Sequence, residues 1–326
     1  MNSFGKNFRV TLFGESHGAA LGVVLDGVPA GIPLSADDFT KDILRRKSGA
    51  VGTTPRIESD APEILSGVFE GHTTGAPLAV IFRNSNTHSS DYQLFGRIPR
   101  PGHADYVASV KWGGYNDPRG GGHFSGRLTL PIVAAGVVAR KLLKVDIHAK
   151  LVEVGGIPMC EFGKTRPSLE DFLREVISEG DSLGGIVECT VSGLPVGLGE
   201  PFFDSVESLV SHAVFSIPGV RGIEFGDGFA ASRMRGSQHN DPIGPDGRTL
   251  KNGAGGVNGG ITNGAPLVFR VALKPTSSIS CRQTTANIAS GELTTLQIPG
   301  RHDACFALRT PVVVEAMTAI VLADLL

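Results

Sequence analysis

The stretch at residues 9–29, RVTLFGESHGAALGVVLDGVP, decides how the fold is read: two apolar runs, 9–13 and 20–28, flank a glycine turn. No helical segment separates them, so one strand follows the other directly. Further windows at 77–83, 185–193 and 264–273 gather Val, Ile, Leu and Phe between turn residues and are expected as strands. Helical spacing lies elsewhere. Ser35, with Asp38 three residues on, is a capping signal before an apolar face of Phe39, Ile43 and Leu44. That segment ends in Arg45-Arg46-Lys47, cations where the helix dipole favours them. Residues 130–143 read as a mostly buried helix, and Ser168 caps another that stops near Gly180. Residues 311–325 read as a last helix, entered at Pro311. Strands and helices come in groups, which predicts an α+β class and not a doubly wound sheet. No linker or repeat divides the chain, so residues 1–326 are expected to form a single domain.

The turn inside that opening stretch, Gly14-Glu15-Ser16-His17-Gly18, is one of three loops that join glycine to histidine. The others are Arg100-Pro101-Gly102-His103-Ala104-Asp105 and Gly300-Arg301-His302-Asp303. Glycine lets a backbone approach a ligand closely, so such loops are where catalytic and anion-binding groups gather. Glycine makes up 44 of 326 residues, in short clusters such as Gly120-Gly121-Gly122. A net charge of −2 gives no basic field for nucleic acid. Within the basic set, 20 Arg stand against 10 Lys, and arginine is the better fork for carboxylate and phosphate oxygens. Cys160, Cys189, Cys281 and Cys305 form no Cys-x-x-Cys pair, which argues against zinc and against a disulfide framework. No signal peptide is visible, and the most apolar stretch, 311–326, is interrupted by Glu315 and Asp324 and is too short to span a bilayer. A soluble, cytoplasmic protein without membrane or nucleic-acid partners is expected.

Other motifs fail on spacing. Gly163-Lys164-Thr165 resembles the end of a phosphate loop, yet Pro158 stands where its first glycine belongs. No Gly-x-Gly-x-x-Gly follows a strand, and no His-Glu-x-x-His supports a metal. Ser16 and His17 are sequence neighbours, from which no nucleophile and base can be inferred. What remains suits acid–base chemistry on a phosphorylated or carboxylated substrate. The residues by themselves stop at that class, and Arg45-Arg46-Lys47 stays open between a helix-end pattern and an anion site.

Ordered blocks along nearly the whole chain resemble the chorismate synthase family. They are 13–29 (FGESHGAALGVVLDGVP), 65–77 (LSGVFEGHTTGAP), 100–106 (RPGHADY), 119–127, 235–241, 254–264 (AGGVNGGITNG), 274–279 (KPTSSI) and 300–325. The resemblance implies a single β-α-β sandwich, antiparallel sheets outside and helices between, assembled as a homotetramer. It implies elimination of phosphate from 5-enolpyruvylshikimate 3-phosphate to give chorismate, with reduced FMN and no net redox change. NADPH would act as an indirect reductant, through an external flavin reductase. Residue by residue, it assigns His17 to the leaving phosphate as general acid, His103 to the flavin pyrimidine edge, and Asp303 to flavin N5. It assigns FMN contact to His123, Phe124, Ser125, Pro218, Gly219, Gly259, Lys274, Pro275, Thr276, Ser277, Ser278 and Arg301. Ser16, Arg46, Arg56 and Arg127 fall to the oxyanions of substrate or NADP.

This chain departs from the family's pattern at several of these places. The usual Arg-Ser-Ser-Ala-Arg is His123-Phe124-Ser125-Gly126-Arg127, and the usual Arg-Arg-Arg-Pro-Gly is Arg45-Arg46-Lys47-Ser48-Gly49. Ala50-Val51-Gly52 lack a basic residue common there, Gln238-His239 replace a more typical pair, and Pro218-Gly219 replace Asn-Ala or Gln-Ala. Two competing readings follow: a flavin enzyme that transfers hydride, and a non-catalytic FMN- or phosphate-binding protein.

Overall fold

The computed structural model describes residues 1–56, 58–86, 89–298 and 302–326. Its first sheet contains β1 (Ser3–Phe4), β2 (Arg9–Gly14), β3 (Ala20–Asp26) and β4 (Glu63–Ser66); a short ribbon, β5 (Val68–Phe69) with β6 (His72–Thr73), leads to its last strand, β7 (Leu78–Arg83). The order is β1-β2-β3-β7-β4, antiparallel throughout. The opening stretch is a hairpin, with Arg9 opposite Asp26 and Gly14 opposite Leu21. Alternation decides which face is covered: Leu21, Val23 and Leu25 of β3 and Leu78, Val80 and Phe82 of β7 are fully buried.

The second sheet contains β8 (Asp146–Val154), β9 (Ile157–Pro158), β10 (Gly185–Ser192) and β11 (Val220–Phe225). A ribbon of β12 (Val257–Asn258) and β13 (Ile261–Thr262) precedes its last strand, β14 (Leu267–Leu273), and β15 (Gln283–Asn287) pairs with β16 (Glu292–Leu296) beyond it. The order is β11-β14-β10-β8-β9, again antiparallel.

The helices are α1 (Thr40–Arg46), α2 (Asp105–Lys111), α3 (Thr129–Arg140), α4 (Leu169–Glu179), α5 (Val206–Val214), α6 (Gly236–His239) and α7 (Pro311–Leu325). Both α3 and α7 are buried almost all round, as helices with no polar face must be. Helix α3 packs on β3 and on α7, and α7 packs in turn on β8 and β10 of the second sheet. Gly136 permits the close approach of the two helices, since a Cβ there would meet Ala316 Cβ at 2.4 Å. Among the described residues no helix is long and apolar enough to cross a membrane.

The expected elements at 9–13, 20–28, 77–83, 185–193, 264–273 and 311–325 are present with small shifts at their ends. Helix 130–143 is shorter than expected, running from Thr129 to Arg140. Ser35 and Asp38 do form a capping box, on a 3-10 turn that runs into α1. Leu44 departs from its expected face: Phe39 and Ile43 are buried, but Leu44 is 58% exposed because one further residue rotates it away from the core. Strand β8 escaped sequence reading because His148, Lys150 and Glu153 alternate with its apolar residues and dilute the cluster of Val and Leu.

The Arg45-Arg46-Lys47 triplet has three separate destinations. Arg45 makes two hydrogen bonds, 2.6 and 2.8 Å, to the buried carboxylate of Glu315, which also accepts from Arg140 and from the Ala149 N–H. Burial acts to raise the Glu315 pKa, but these donors together hold it below its ordinary value. Lys47 donates to the Ser59 carbonyl at 2.8 Å. Arg46 turns into a cavity.

Candidate functional site

That cavity, about 940 Å³, is lined by loops from both halves of the chain and by Met317 and Ile320 of α7. One end is dense in charge. Arg46, Arg56, Arg127 and Arg309 face the carboxylates Glu58, Asp60 and Asp303 there. Asp60 is held in a left-handed conformation, φ 53°, rare for a residue with a side chain. It accepts from Arg127 Nη1 at 2.8 Å and lies 3.7 Å from Arg46 Nη2. Arg127 Nε donates to Asn84 Oδ1 at 2.6 Å. Arg46 Nε and Arg127 Nη2 are buried N–H donors with no acceptor. Burial first, then the neighbouring Arg309 and Arg127, pulls the Arg46 guanidinium down to about 9, still cationic at neutral pH. Buried cations with unmatched donors are what a carboxylate or phosphate oxygen would satisfy.

His17 and Ser16 stand just behind this end, against Gly120 of the cavity wall. A Cβ on Gly120, whose φ is +60°, would lie 2.3 Å from the His17 ring and 2.8 Å from Ser16 Oγ. Only glycine therefore leaves the imidazole this near the cavity. Tyr92 meets the ring edge-on, with centroids 5.1 Å apart. Arg56 donates to Ser16 Oγ and to the Ser16 carbonyl at 3.2 and 3.3 Å, and is itself gripped by buried Glu58 at 2.7 Å. Glu58 also accepts from Ser85 and Asn86. Burial would raise the Glu58 pKa, yet these donors take it to about 2. For His17, burial followed by the charges of Arg56 and Arg119 pushes the imidazole down to about 4, so the ring is neutral at pH 7.

His103 sits under different control. Its Nδ1 lies 2.6 Å from Asp105 Oδ1. Arg100 Nη2 also lies 3.1 Å from this nitrogen, but the shorter contact is to a carboxylate, which only accepts. Nδ1 therefore carries the proton towards Asp105, and Nε2 is left as an acceptor beside Gly121. Asp105 is fixed by a two-pronged bond from buried Arg100, 2.8 and 2.7 Å, and Arg100 reaches on to Ser278 Oγ at 3.0 Å. Burial lowers the His103 pKa from its ordinary value, with Asp105 opposing and Arg100 assisting. Asp303 Oδ1 accepts the Thr54 N–H at 3.0 Å, and its Oδ2 pairs with Arg309 at 2.7 Å.

At the far end Lys274 donates to the Gly102 carbonyl at 3.1 Å and to Ser277 Oγ, and burial, with Arg221 nearby, lowers its pKa. Pro275, Thr276, Ser277 and Ser278 all line the cavity, and Thr276 Oγ1 is buried with no partner. Ile217, Pro218, Gly219 and Phe306 add an apolar part of the wall. Phe124, 38% exposed, packs against Trp112 with ring centroids 5.7 Å apart. The set suits a planar ring with attached phosphate and polar oxygens.

Of the residues singled out from sequence, His103, Asp303, Arg46, Arg56, Arg127, His123, Phe124, Ser125, Pro218, Gly219 and 274–278 share this cavity. His123, however, has both ring nitrogens engaged, by the Gly14 carbonyl at 2.8 Å and Asn2 Oδ1 at 3.2 Å. Gly259 is not brought here: it turns the β12–β13 ribbon, and β14, seven residues or about 23 Å long, separates that end of the sheet from Lys274. Arg301 lies outside the described residues. Asp60, Glu58, Asn84, Asp105 and Arg309 were missed. Only Asp105 had a sequence signal, two residues after His103 in the same glycine loop. Among the described residues no three His, Cys, Asp or Glu side chains are grouped for a metal ion.

Residues 8–326 match the model of a family described as chorismate synthase. A chorismate synthase of Chitinophaga pinensis is 61% identical, over 99% of this chain and 96% of the relative. One from Dehalococcoides mccartyi is 47% identical over the same shares. A crystal structure of chorismate synthase superimposes with a TM-score of 0.74 at 29% identity, over 99% of this chain and 92% of the other. On a match of that extent, in sequence and in fold, the chain belongs to the chorismate synthase family and is a lyase.

Proposed function

We propose that this chain converts 5-enolpyruvylshikimate 3-phosphate to chorismate by a 1,4-anti elimination of phosphate and a ring hydrogen, with reduced FMN bound and no net redox change. The observation that carries the reading is the cluster of buried guanidiniums with unmatched N–H donors, set beside a histidine whose ring is neutral at pH 7. Arg46 Nε and Arg127 Nη2 bind substrate oxyanions, and Arg56 holds the Ser16–His17 turn against them. A phosphate dianion opposes the repulsion from Arg56 and Arg119, so the His17 pKa rises and the ring takes up the proton it passes to the leaving phosphate. His103, its tautomer set by Asp105, presents Nε2 as an acceptor. Asp303 keeps Arg309 and the loop at Thr54 in place and presents its charge to the cavity.

The far end fits FMN: Lys274, Ser277 and the unpartnered Thr276 hydroxyl match a phosphate or ring oxygens, and Phe124, Ile217, Pro218 and Phe306 match a flat ring. When bound, reduced FMN supplies electron density as phosphate departs and recovers it as the hydrogen leaves. The chain's own part is to hold both molecules together, exclude water and manage the protons. The two antiparallel sheets with α3 and α7 packed between support a β-α-β sandwich. The further reading is a cytoplasmic homotetramer of single-domain chains, supplied with reduced flavin by an external reductase that uses NADPH. Arg301 is a further FMN contact in this reading. Anaerobic turnover of the ester with photoreduced FMN is the test: phosphate and chorismate released in equal amounts, without NADPH consumption, support it. Stoichiometric NADPH oxidation would favour hydride transfer instead, and flavin binding without turnover would leave a binding protein.

A further inference from the structure

Asn84 follows the last residue of β7, outside the cavity lining and outside every motif in the sequence. Its side-chain amide makes three contacts. Nδ2 donates to the Glu15 carbonyl at 3.1 Å and to the Gly18 carbonyl at 2.8 Å, the two ends of the turn that carries Ser16 and His17. Oδ1 accepts from Arg127 Nε at 2.6 Å. The chemistry allows one orientation: two carbonyls can only accept, and a guanidinium can only donate, so the NH₂ must face the turn and the oxygen must face Arg127. The Asn84 N–H is itself bonded to the Ala19 carbonyl at 3.2 Å, which fixes the residue to the strand end.

We propose that Asn84 is a positioning residue that locks the His17 turn to Arg127, so that the proton donor and the oxyanion anchor keep one mutual geometry. This rests on the function proposed above for His17 and Arg127. Arg127 is well suited to such a lock. Nε is held by Asn84 and Nη1 by Asp60, which leaves Nη2 buried and unpaired. The turn is also held by Arg56 on Ser16, by the Ser16 N–H on the Gly122 carbonyl at 3.1 Å and by His123 on the Gly14 carbonyl at 2.8 Å. It is the Asn84 amide, however, that ties its Glu15 and Gly18 carbonyls to Arg127. Of the twenty side chains, only a neutral amide can donate twice to carbonyls and accept from a guanidinium at this reach.

Two substitutions in the full chain separate the two halves of the lock. Asn84→Asp keeps an acceptor for Arg127 and loses both donors to the turn; Asn84→Ala loses everything. Under anaerobic turnover with reduced FMN, N84D should keep KM within about two-fold of wild type while kcat falls about 10²-fold, the scale of a misplaced reacting group. N84A should show the same fall in kcat and in addition a KM raised about ten-fold, since Arg127 has lost a charge-assisted partner. FMN affinity, read from flavin fluorescence, should be unchanged in both. A purely structural role would lower thermal stability and the active fraction equally, with no split between kcat and KM. Variants that match wild type, or that lose activity only in proportion to folded protein, would overturn the proposal while the reaction assignment stands. A wild-type chain that binds FMN but never turns the ester over would overturn both.

Discussion

His103 lines the cavity and His17 stands just behind its wall at Gly120; burial lowers the pKa of both, yet different neighbours hold them. For His17, burial first and then the charges of Arg56 and Arg119 take the pKa down to about 4, with Asp117 and Glu58 opposing them. His103 is tied at 2.6 Å to a buried carboxylate, itself gripped by Arg100. In the proposed function the first ring gains a charge when an anion enters, and the second keeps the tautomer that Asp105 sets. A histidine in a glycine loop is thus not one kind of catalytic group, because its neighbours through space decide whether it moves a proton or holds one.

The harshest test of that contrast is His17→Ala. Turnover should fall by about 10²–10⁴-fold, the usual worth of a positioned acid, with FMN affinity little changed. A near-wild-type rate would reduce the ring to filler behind Gly120. Asp105→Asn comes next. An amide can donate as well as accept, so the His103 tautomer is no longer dictated, and kcat should fall about 10²-fold with an altered pH profile. If rate and profile both match wild type, the Asp105 bond has no bearing on the chemistry.

Asp303→Asn should act more gently, because both carboxylate oxygens already serve the loop at Thr54 and Arg309. A loss of about ten-fold in turnover corresponds to weakening one charge-assisted bond. Single-turnover flavin absorbance with deuterated substrate would show which step slows, and unchanged kinetics would leave Asp303 as a loop anchor alone. The smallest effect is a titration. In the ligand-free protein the His17 imidazole should titrate near pH 4 by NMR, and inorganic phosphate should raise it by about one unit or more. The folded value lies below that of the unfolded chain, so the unfolded state binds this proton more tightly. The stability due to neutral His17 is therefore whole above about pH 6.5 and is lost as pH falls toward 4. A titration near 6.5 without ligand would erase the difference between the two histidines.

Much of the architecture was legible because it is periodic. The β2–β3 hairpin, the Ser168-capped helix and α7 follow from alternation, capping and unbroken apolarity, each a property of neighbours along the chain. Strand β8 was hidden by its polar alternate residues, and Leu44 was misplaced by one step of helical rotation. The site divides in the same way. The glycine loops marked where His17, His103 and Asp303 lie. Asp60, Glu58, Asn84 and Arg309 carry no local signal, since Asp60 meets Arg127 across 67 residues of sequence.

By itself, then, the sequence determined the α+β class, the turns that only glycine permits, and the family blocks that place histidines and arginines in order. Tertiary structure decided which of those groups are charged, which tautomer His103 adopts, and which guanidinium N–H groups remain unmatched. It also set Gly259 a strand's length from the cavity it was expected to join. The physical reason is that propensity and periodicity act over a few neighbouring residues, whereas desolvation and Coulomb forces depend on whatever the fold brings within a few ångströms.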